Sequence, residues 1–302
     1  PYTTLFRSGE SFELYPDFPT GGLLDVDKYN DGHRGGALKC RAKIEKIDDR
    51  VLSITELPFG KTTSSLIESI LKANEKGKIK IKHIDDMTAA TADIRIQLPA
   101  GVSTDKTIDG LYAFTDCEVG LSPNACVIKE GTPVFLGVSD LLKYSADRTK
   151  ELLVAQLNYR LGEVQDALVT ASLERIFIEN RIYKDKPFEE AACEADALDH
   201  VRKRIEAMED LVFVRPITEA DLKRLLEIKM ARILRFNIEK HEERIAQLMR
   251  DARTIEKHLA HSTQYTIDYY TRLLKEFGAG WTRKTTIARF GTIEATKVIE
   301  AT

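Results

Sequence analysis

The chain has 302 residues, with 45 Lys and Arg against 48 Asp and Glu, a net charge of -3, and 43% hydrophobic residues. That length accommodates two or three modules with cores of their own, and the charge excludes a polyanion binder over the whole surface, leaving only local basic patches. No run approaches the ~18 apolar residues of a membrane span, no signal-peptide pattern is present, and Cys40, Cys117, Cys126 and Cys193 are scattered without a C-x-x-C.

Those cysteines fit reduced thiols of a soluble cytoplasmic protein better than a disulfide frame or a zinc site. Pro1 to Ser8 reads as translated sequencing-adapter sequence and is set aside. Together with the uncapped stop at Ala301-Thr302, this leads to the expectation of a fragment. The next stretch is the most informative. It opens with Pro16-Asp17-Phe18-Pro19-Thr20-Gly21-Gly22-Leu23-Leu24 and runs through Gly32-His33-Arg34-Gly35-Gly36. A strand with Lys39, Arg41 and Lys43 follows, and Ile54-Thr55-Glu56-Leu57-Pro58-Phe59-Gly60 closes it. Turn-forming prolines and glycine-flanked cations suit a surface that holds a polyanion's backbone. Taken alone, the same pattern also reads as a solvated strand pair.

From Ala37 to about Val138 the pattern is α+β. Leu38 to Ile47 and Val51 to Leu57 alternate around Asp48-Asp49 as a hairpin does. Thr62 or Ser64 caps a helix over Ser65 to Asn74, with Leu66, Ile67, Ile70 and Leu71 on one face. Lys78 to Ile84 and Ala92 to Leu98 read as strands, then a helix near Thr104 to Phe114, then strands around Glu118 to Leu121, Cys126 to Lys129 and Pro133 to Leu136. Lys61 to His83 carries six Lys against Glu68 and Glu75, a second local basic surface.

After Ser139 the period becomes helical. Glycine and proline are absent between Gly162 and Pro187, which predicts one helix from about Ser139 to Tyr183, with Leu157, Leu161, Val164, Leu168 and Ala171 along one stripe. A second helix from Ile238 to Leu273 keeps a heptad through His241, Ile245, Leu248, Ala252, Ile255, Leu259, Ser262, Thr266 and Tyr269, and spans roughly 54 Å at 1.5 Å per residue. Between them, Lys184 to Asn237 holds an amphipathic helix from about Glu189 to Met208 and the apolar run Leu211-Val212-Phe213-Val214. Two long helices around a mixed segment predict an antiparallel coiled-coil arm with a small globule at its tip.

Three chemical motifs are weak. Gly60-Lys61-Thr62 follows a strand and opens a helix, but Thr55 stands where a phosphate-binding loop needs glycine and Pro58 stiffens the loop. Lys61 at a helix N-terminus is still a candidate for a phosphate contact. Asp25-Val26-Asp27 reads as a solvated turn. His241, on the heptad seam, reads as a register-setting residue, and His258 and His261 lack the further ligands a metal needs.

The Tyr15 to Gly60 stretch resembles the start of the tower domain in the A subunit of bacterial type IIA DNA topoisomerases, DNA gyrase and topoisomerase IV, and most resembles the topoisomerase IV branch. Leu225-Leu226-Glu227-Ile228-Lys229-Met230-Ala231-Arg232-Ile233-Leu234 resembles the sequence at that family's coiled-coil tip. The resemblance covers about Tyr15 to Thr302. It implies an α+β fold: a tower over 9–138, an antiparallel coiled coil from 139–183 and 238–276, an exit-gate dimerisation globule over 184–237, and a tail over 277–302 toward a further C-terminal domain.

The implied activity is ATP-dependent double-strand cleavage, passage and religation of DNA. This segment would bind and bend the cleaved DNA and form the lower dimer gate. Leu23 is the first choice, and Leu24 the second, for the apolar wedge that enters the base stack. His33, Arg34, Lys39, Arg41 and Lys61 would contact the DNA backbone, and Leu226, Met230, Ile233 and Leu234 would form the dimer contact, rimmed by Glu227, Lys229 and Arg232. The family's nucleophilic tyrosine is expected upstream of residue 9, so neither Tyr15 nor Tyr29 is assigned that role and the segment alone is expected to be inactive. Mg2+ and ATP are expected through the B subunit, with no metal or cofactor bound here. The implied partners are double-stranded DNA, a second copy of the chain and the family's B subunit, in the nucleoid-associated cytoplasm. Two other readings remain at this stage: a non-catalytic coiled-coil scaffold that tethers DNA, and a P-loop NTPase dependent on Lys61.

Overall fold

A computed structural model describes residues 13–208, 211–291 and 293. The adapter-like Pro1 to Ser8 and the terminal Ala301-Thr302 lie outside the described residues. The chain divides into two compact units, residues 1–145 with 271–302, and residues 146–270. The architecture is mixed α and β.

In the first unit, alternating sequence becomes short strands, paired antiparallel except where the last joins the first. The order is β1 Leu23–Lys28, β2 Ala37–Arg41, β3 Lys43–Asp48, β4 Val51–Glu56, β5 His83–Asp86, β6 Ile94–Gln97, β7 Glu118–Leu121, β8 Cys126–Lys129, β9 Thr132–Phe135 and β10 Thr286–Ile287. The expected hairpin forms between β3 and β4, but the strand predicted from Leu38 to Ile47 is two strands. At Ala42 the chain leaves one sheet, ordered β10-β1-β2-β7, and enters another, ordered β3-β4-β6-β5. The Ala42 amide donates to the Cys117 carbonyl at 2.8 Å, which satisfies the junction's backbone. β8 and β9 form a separate hairpin.

Helix α1, Thr63–Glu75, starts at Thr62: its hydroxyl accepts from the Ser65 amide while the Ser65 hydroxyl accepts from the Thr62 amide. Leu66, Ile70 and Ala73 enter a core shared with Leu52, Ile54, Ile94, Ile96 and Leu111 of α2, Thr104–Phe114. Burying Leu66 and Ile70 is worth about 1.5–3 kcal/mol each. Leu71, expected on this face, is exposed, because one further residue turns the side chain about 100° away. The strand predicted from Lys78 shortens to His83–Asp86; Ile79 is nonetheless buried, and the Ile81 amide donates to the Asn74 side chain at 2.9 Å.

The segment after Trp281, expected as an outgoing tail, returns into this unit. Arg283 donates to the carbonyls of Tyr15 and Pro16 at 2.6 and 2.9 Å. The Thr285 amide donates to Asp17 at 2.8 Å and holds that carboxyl below its usual range, while β10 pairs in parallel with β1, Leu23 opposite Thr286.

In the second unit the helical period governs. Helix α3, Val138–Glu179, has 42 residues and buries Leu157, Leu168 and Ala171 of the predicted stripe. Arg181 then takes a left-handed φ of 50° and turns the chain into a 3-10 turn at Ile182–Lys184. Short helices follow: α4 Lys186–Glu189, α5 Glu194–Glu206, α6 Glu219–Leu226 and α7 Met230–Leu234. Val169, Leu173, Phe177, Ile182, Leu198, Val201, Leu222 and Leu225 form their core. The amphipathic helix predicted from Glu189 to Met208 is therefore shorter and starts later, at Glu194. In the predicted apolar run, Leu211 and Phe213 pack on this core whereas Val212 is exposed.

The second long helix is interrupted. α8, Ile238–Ala260, and α9, Ser262–Phe277, are separated at His261, whose ψ of 43° breaks the ladder. Three side-chain contacts tie these helices to α3: Lys150 to Thr263 at 2.8 Å, His241 to the Ala171 carbonyl at 2.8 Å, and Arg175 to Glu242 at 2.8 Å. Lys150 meets Thr263 whereas Ala171 and Arg175 meet His241 and Glu242, so α3 runs antiparallel to the α8–α9 stretch where they meet.

Candidate nucleic-acid interface

The two motifs that bracket the basic stretch meet in space. Phe18 stacks on Phe59 with ring centroids 4.4 Å apart, and the Gly22 amide donates to Glu56 at 2.5 Å. Gly22 has a φ of +87°, and a Cβ there would stand 2.8 Å from the Arg41 carbonyl, so no side chain fits this approach. β1 begins immediately after. Leu23 is half-buried, and Leu24 is fully buried against Leu38 and Cys40. Leu24, the second wedge candidate, is thus a core residue, because strand alternation turns it to the inner face.

The loop before β2 presents His33 and Arg34 to solvent. It is anchored from beneath by Asp31, whose carboxylate accepts from the Ser139 hydroxyl at 2.9 Å and the Ser139 amide at 3.1 Å. Arg34 has no acidic partner among the described residues, which leaves its charge available. Lys39 is exposed but lies 3.0 Å from Glu118.

Arg41 departs most from expectation. It is buried, pairs with Glu118 at 2.6 Å, and its guanidinium lies 4.5 Å from the Tyr112 ring and 4.2 Å from the Phe290 ring. Arg41 and Glu118 are direct cross-strand partners, a pairing that a single-strand pattern does not reveal. Arg41 therefore holds the sheet to its neighbours and is not a surface cation. Arg41→Ala is expected to destabilise the first unit by about 2–3 kcal/mol, since it strands a partly desolvated carboxylate and removes two ring contacts. Urea unfolding followed by circular dichroism checks this; an unshifted transition contradicts it.

Lys61 is also paired, 2.8 Å from Asp116, and the Ser65 and Thr62 amides at the start of α1 are taken up by the Thr62–Ser65 cap. Nothing in this loop forms the amide cradle of a phosphate-binding loop. Among the described residues no group of three His, Cys, Asp or Glu side chains is placed to hold a metal ion, and no helix is long and apolar enough to cross a membrane.

The sequence decides which proteins these elements belong with. The family model for the A subunit of DNA gyrase/topoisomerase IV matches residues 5–273. The chain belongs to the DNA gyrase/topoisomerase IV A-subunit family. It is 36% identical to the A subunit of DNA topoisomerase 4 from Borreliella burgdorferi over 282 residues, 93% of this chain and 44% of that protein. It is 32% identical to the DNA gyrase A subunit of Lawsonia intracellularis over 168 residues, 51% of this chain and 20% of that protein. With the DNA gyrase A subunit of Mycobacterium tuberculosis it shares 27% identity over 260 residues, 77% of this chain and 29% of that protein. The chain thus spans less than half the length of these relatives.

In this member of the gyrase/topoisomerase IV family, the second motif lies in the second unit. The four residues expected at a dimer contact divide. Met230 and Leu234 on α7 are 59% and 80% exposed. Leu226 and Ile233 pack against the unit's own core. α7 is too short to bury both faces. Of the expected rim, Arg232 instead reaches Glu174, with its Nη2 2.8 Å from Oε2, while Glu227 and Lys229 are exposed. His241 is buried and donates through Nε2 to the Ala171 carbonyl, and its ring lies 4.8 Å from that of Phe236.

Proposed function

We propose that this chain is part of the A subunit of a type IIA DNA topoisomerase that cleaves, passes and religates DNA duplexes using ATP. Family membership carries this reading. The first unit acts as the tower that binds and bends the cleaved segment, and its exposed basic loop at His33 and Arg34 supports that role: a cation without an acidic partner is free to meet a phosphate. The second unit acts as a coiled-coil arm with a dimerising globule, supported by the antiparallel run of α3 against α8 and α9 and by the exposed apolar pair on α7. The nucleophilic tyrosine is assigned to the part of the family's sequence outside this segment, and Mg2+ and ATP to the B subunit. The working enzyme is then a soluble assembly in the nucleoid-associated cytoplasm, built on two copies of this chain.

Leu23 remains the proposed wedge. Its side chain is half-buried between β10 and β2, so it projects into the base stack only if the DNA closes over the rim of this sheet. Leu23→Ala is expected to reduce the bend imposed on a duplex by the full-length protein with its B partner, while stability falls by no more than about 1.5 kcal/mol. Energy transfer between dyes on the duplex ends reads the bend. An unaltered bend assigns the wedge elsewhere.

A further inference from the structure

The second unit carries a cleft of about 520 Å3 lined by Glu174, Lys229, Arg232, Arg235, Lys240 and His241, with Phe236 and Asn237 completing the wall. Four cations, Lys229, Arg232, Arg235 and Lys240, from α7 with its two flanking residues and from α8, converge there against one carboxylate. Glu174 is spent on Arg232, which it meets through both oxygens. Lys229, Arg235 and Lys240 are exposed and have no acidic partner among the described residues. Other cations of this unit are held by acids: Arg175 by Glu179 and Glu242, Arg204 by Asp185, Arg215 by Asp166 and Asp221. Three unpaired cations around one concavity concentrate a positive field. The start of the 23-residue α8 adds its dipole, and the Asn237 side chain accepts from the Lys240 amide there, which fixes the Lys240 backbone at the cleft.

We propose that this cleft is a phosphate-backbone contact for duplex DNA, separate from the basic loop of the first unit. This rests on the reading of the chain as part of a DNA-binding enzyme and adds a second contact in the arm's globule. Exposed cations at the rim of an open cleft suit a backbone that runs across it. A small enclosed anion would need buried donors, and here the buried polar groups are already taken: Glu174 by Arg232 and His241 Nε2 by the Ala171 carbonyl. Lys and Arg meeting phosphates give affinity without base choice, so the contact is expected to be insensitive to sequence and steeply dependent on salt.

The test measures anisotropy of a fluorescein-labelled 30-bp duplex against the full chain from 50 to 200 mM salt. Three proteins are compared: wild type, Arg235→Gln/Lys240→Gln, and Arg34→Gln/Lys39→Gln. Neither pair includes the Glu174–Arg232 ion pair or the Asn237 cap, and unfolding midpoints verify that both variants remain folded. Loss of two phosphate contacts lowers the salt slope by about 2 and affinity by about tenfold or more at 100 mM salt. The inference stands if Arg235→Gln/Lys240→Gln shows that loss. If only Arg34→Gln/Lys39→Gln shows it, the cleft proposal is overturned while DNA binding by the first unit survives. If wild type binds no duplex, both fail. An unchanged Arg235→Gln/Lys240→Gln variant that has lost affinity for a poly-glutamate peptide assigns the cleft to an acidic protein partner, and this too overturns the proposal.

Discussion

Met230→Glu/Leu234→Glu is expected to convert a dimer into a folded monomer. Both side chains are more than half exposed on α7, and neither belongs to the globule's own core. In a contact of two identical surfaces each substitution appears twice, so four carboxylates enter one apolar patch. Desolvating even part of that charge costs at least about 4 kcal/mol, roughly a thousandfold in dissociation constant. Light scattering at low micromolar concentration should therefore read twice 34.1 kDa for the wild type and 34.1 kDa for the variant. Because the positions are exposed, the unfolding midpoint should barely move. A wild type that is already monomeric removes the gate from this part of the proposal. Ile233→Glu would be a poorer probe, since Ile233 packs inward and its loss would unfold the globule.

Asp221→Ala should be the most damaging single polar substitution in the second unit. The Asp221 carboxylate is buried and accepts from Arg215 at 2.7 and 3.0 Å, from the Thr218 hydroxyl at 2.7 Å and from the Thr218 amide at 2.9 Å. Its removal leaves Arg215 short of a partner and unmakes the cap of α6, for a loss of about 3 kcal/mol. The Arg215 guanidinium holds the Asp221 carboxyl well below the usual carboxylate range. A depressed folded pKa stabilises the native state at pH above the unfolded value of about 3.9, and that stability is lost as pH falls through the folded pKa. Wild type should thus lose stability relative to Asp221→Asn as the pH is lowered from about 5 toward 2. Parallel pH profiles for the two proteins would contradict this account.

Local chemistry was legible in the sequence where it decides locally. The Thr62 cap, the span of α2 and the run of α3 follow from side-chain spacing and hydroxyl placement alone. What escaped depends on partners distant in the chain. The change of sheet at Ala42 leaves the alternation of Leu38 to Ile47 unbroken, so no pattern announces it. The pairing of Arg41 with Glu118 and Phe290 turns a candidate DNA contact into an internal one, and that of Lys61 with Asp116 gives a second candidate an acidic partner, both through residues that carry no motif. The helix break at His261 is likewise silent, because the heptad spacing continues across it through Leu259, Ser262, Thr266 and Tyr269. At the tip, all four interface candidates share one apolar pattern, and only packing separates Met230 and Leu234 from Leu226 and Ile233. Arg235 and Lys240, which flank the Asn237 cap, were not singled out, since their significance lies in having no acid near them.

The parallel pairing of β10 with β1 brings Leu23 to Thr286, and the bonds from Arg283 and Thr285 to the Tyr15–Asp17 segment join residues 267 and 268 positions apart. The second unit is an insertion within the first. During synthesis the first sheet must wait for its last strand to leave the ribosome, by which time every residue of the second unit has already emerged. Folding of that insertion brings its ends together and replaces a long floppy loop by a short link, which lowers the entropy lost when the clasp closes. A defect in the globule would then surface as slow or failed completion of the sheet that carries the basic loop, although no residue of that sheet had changed.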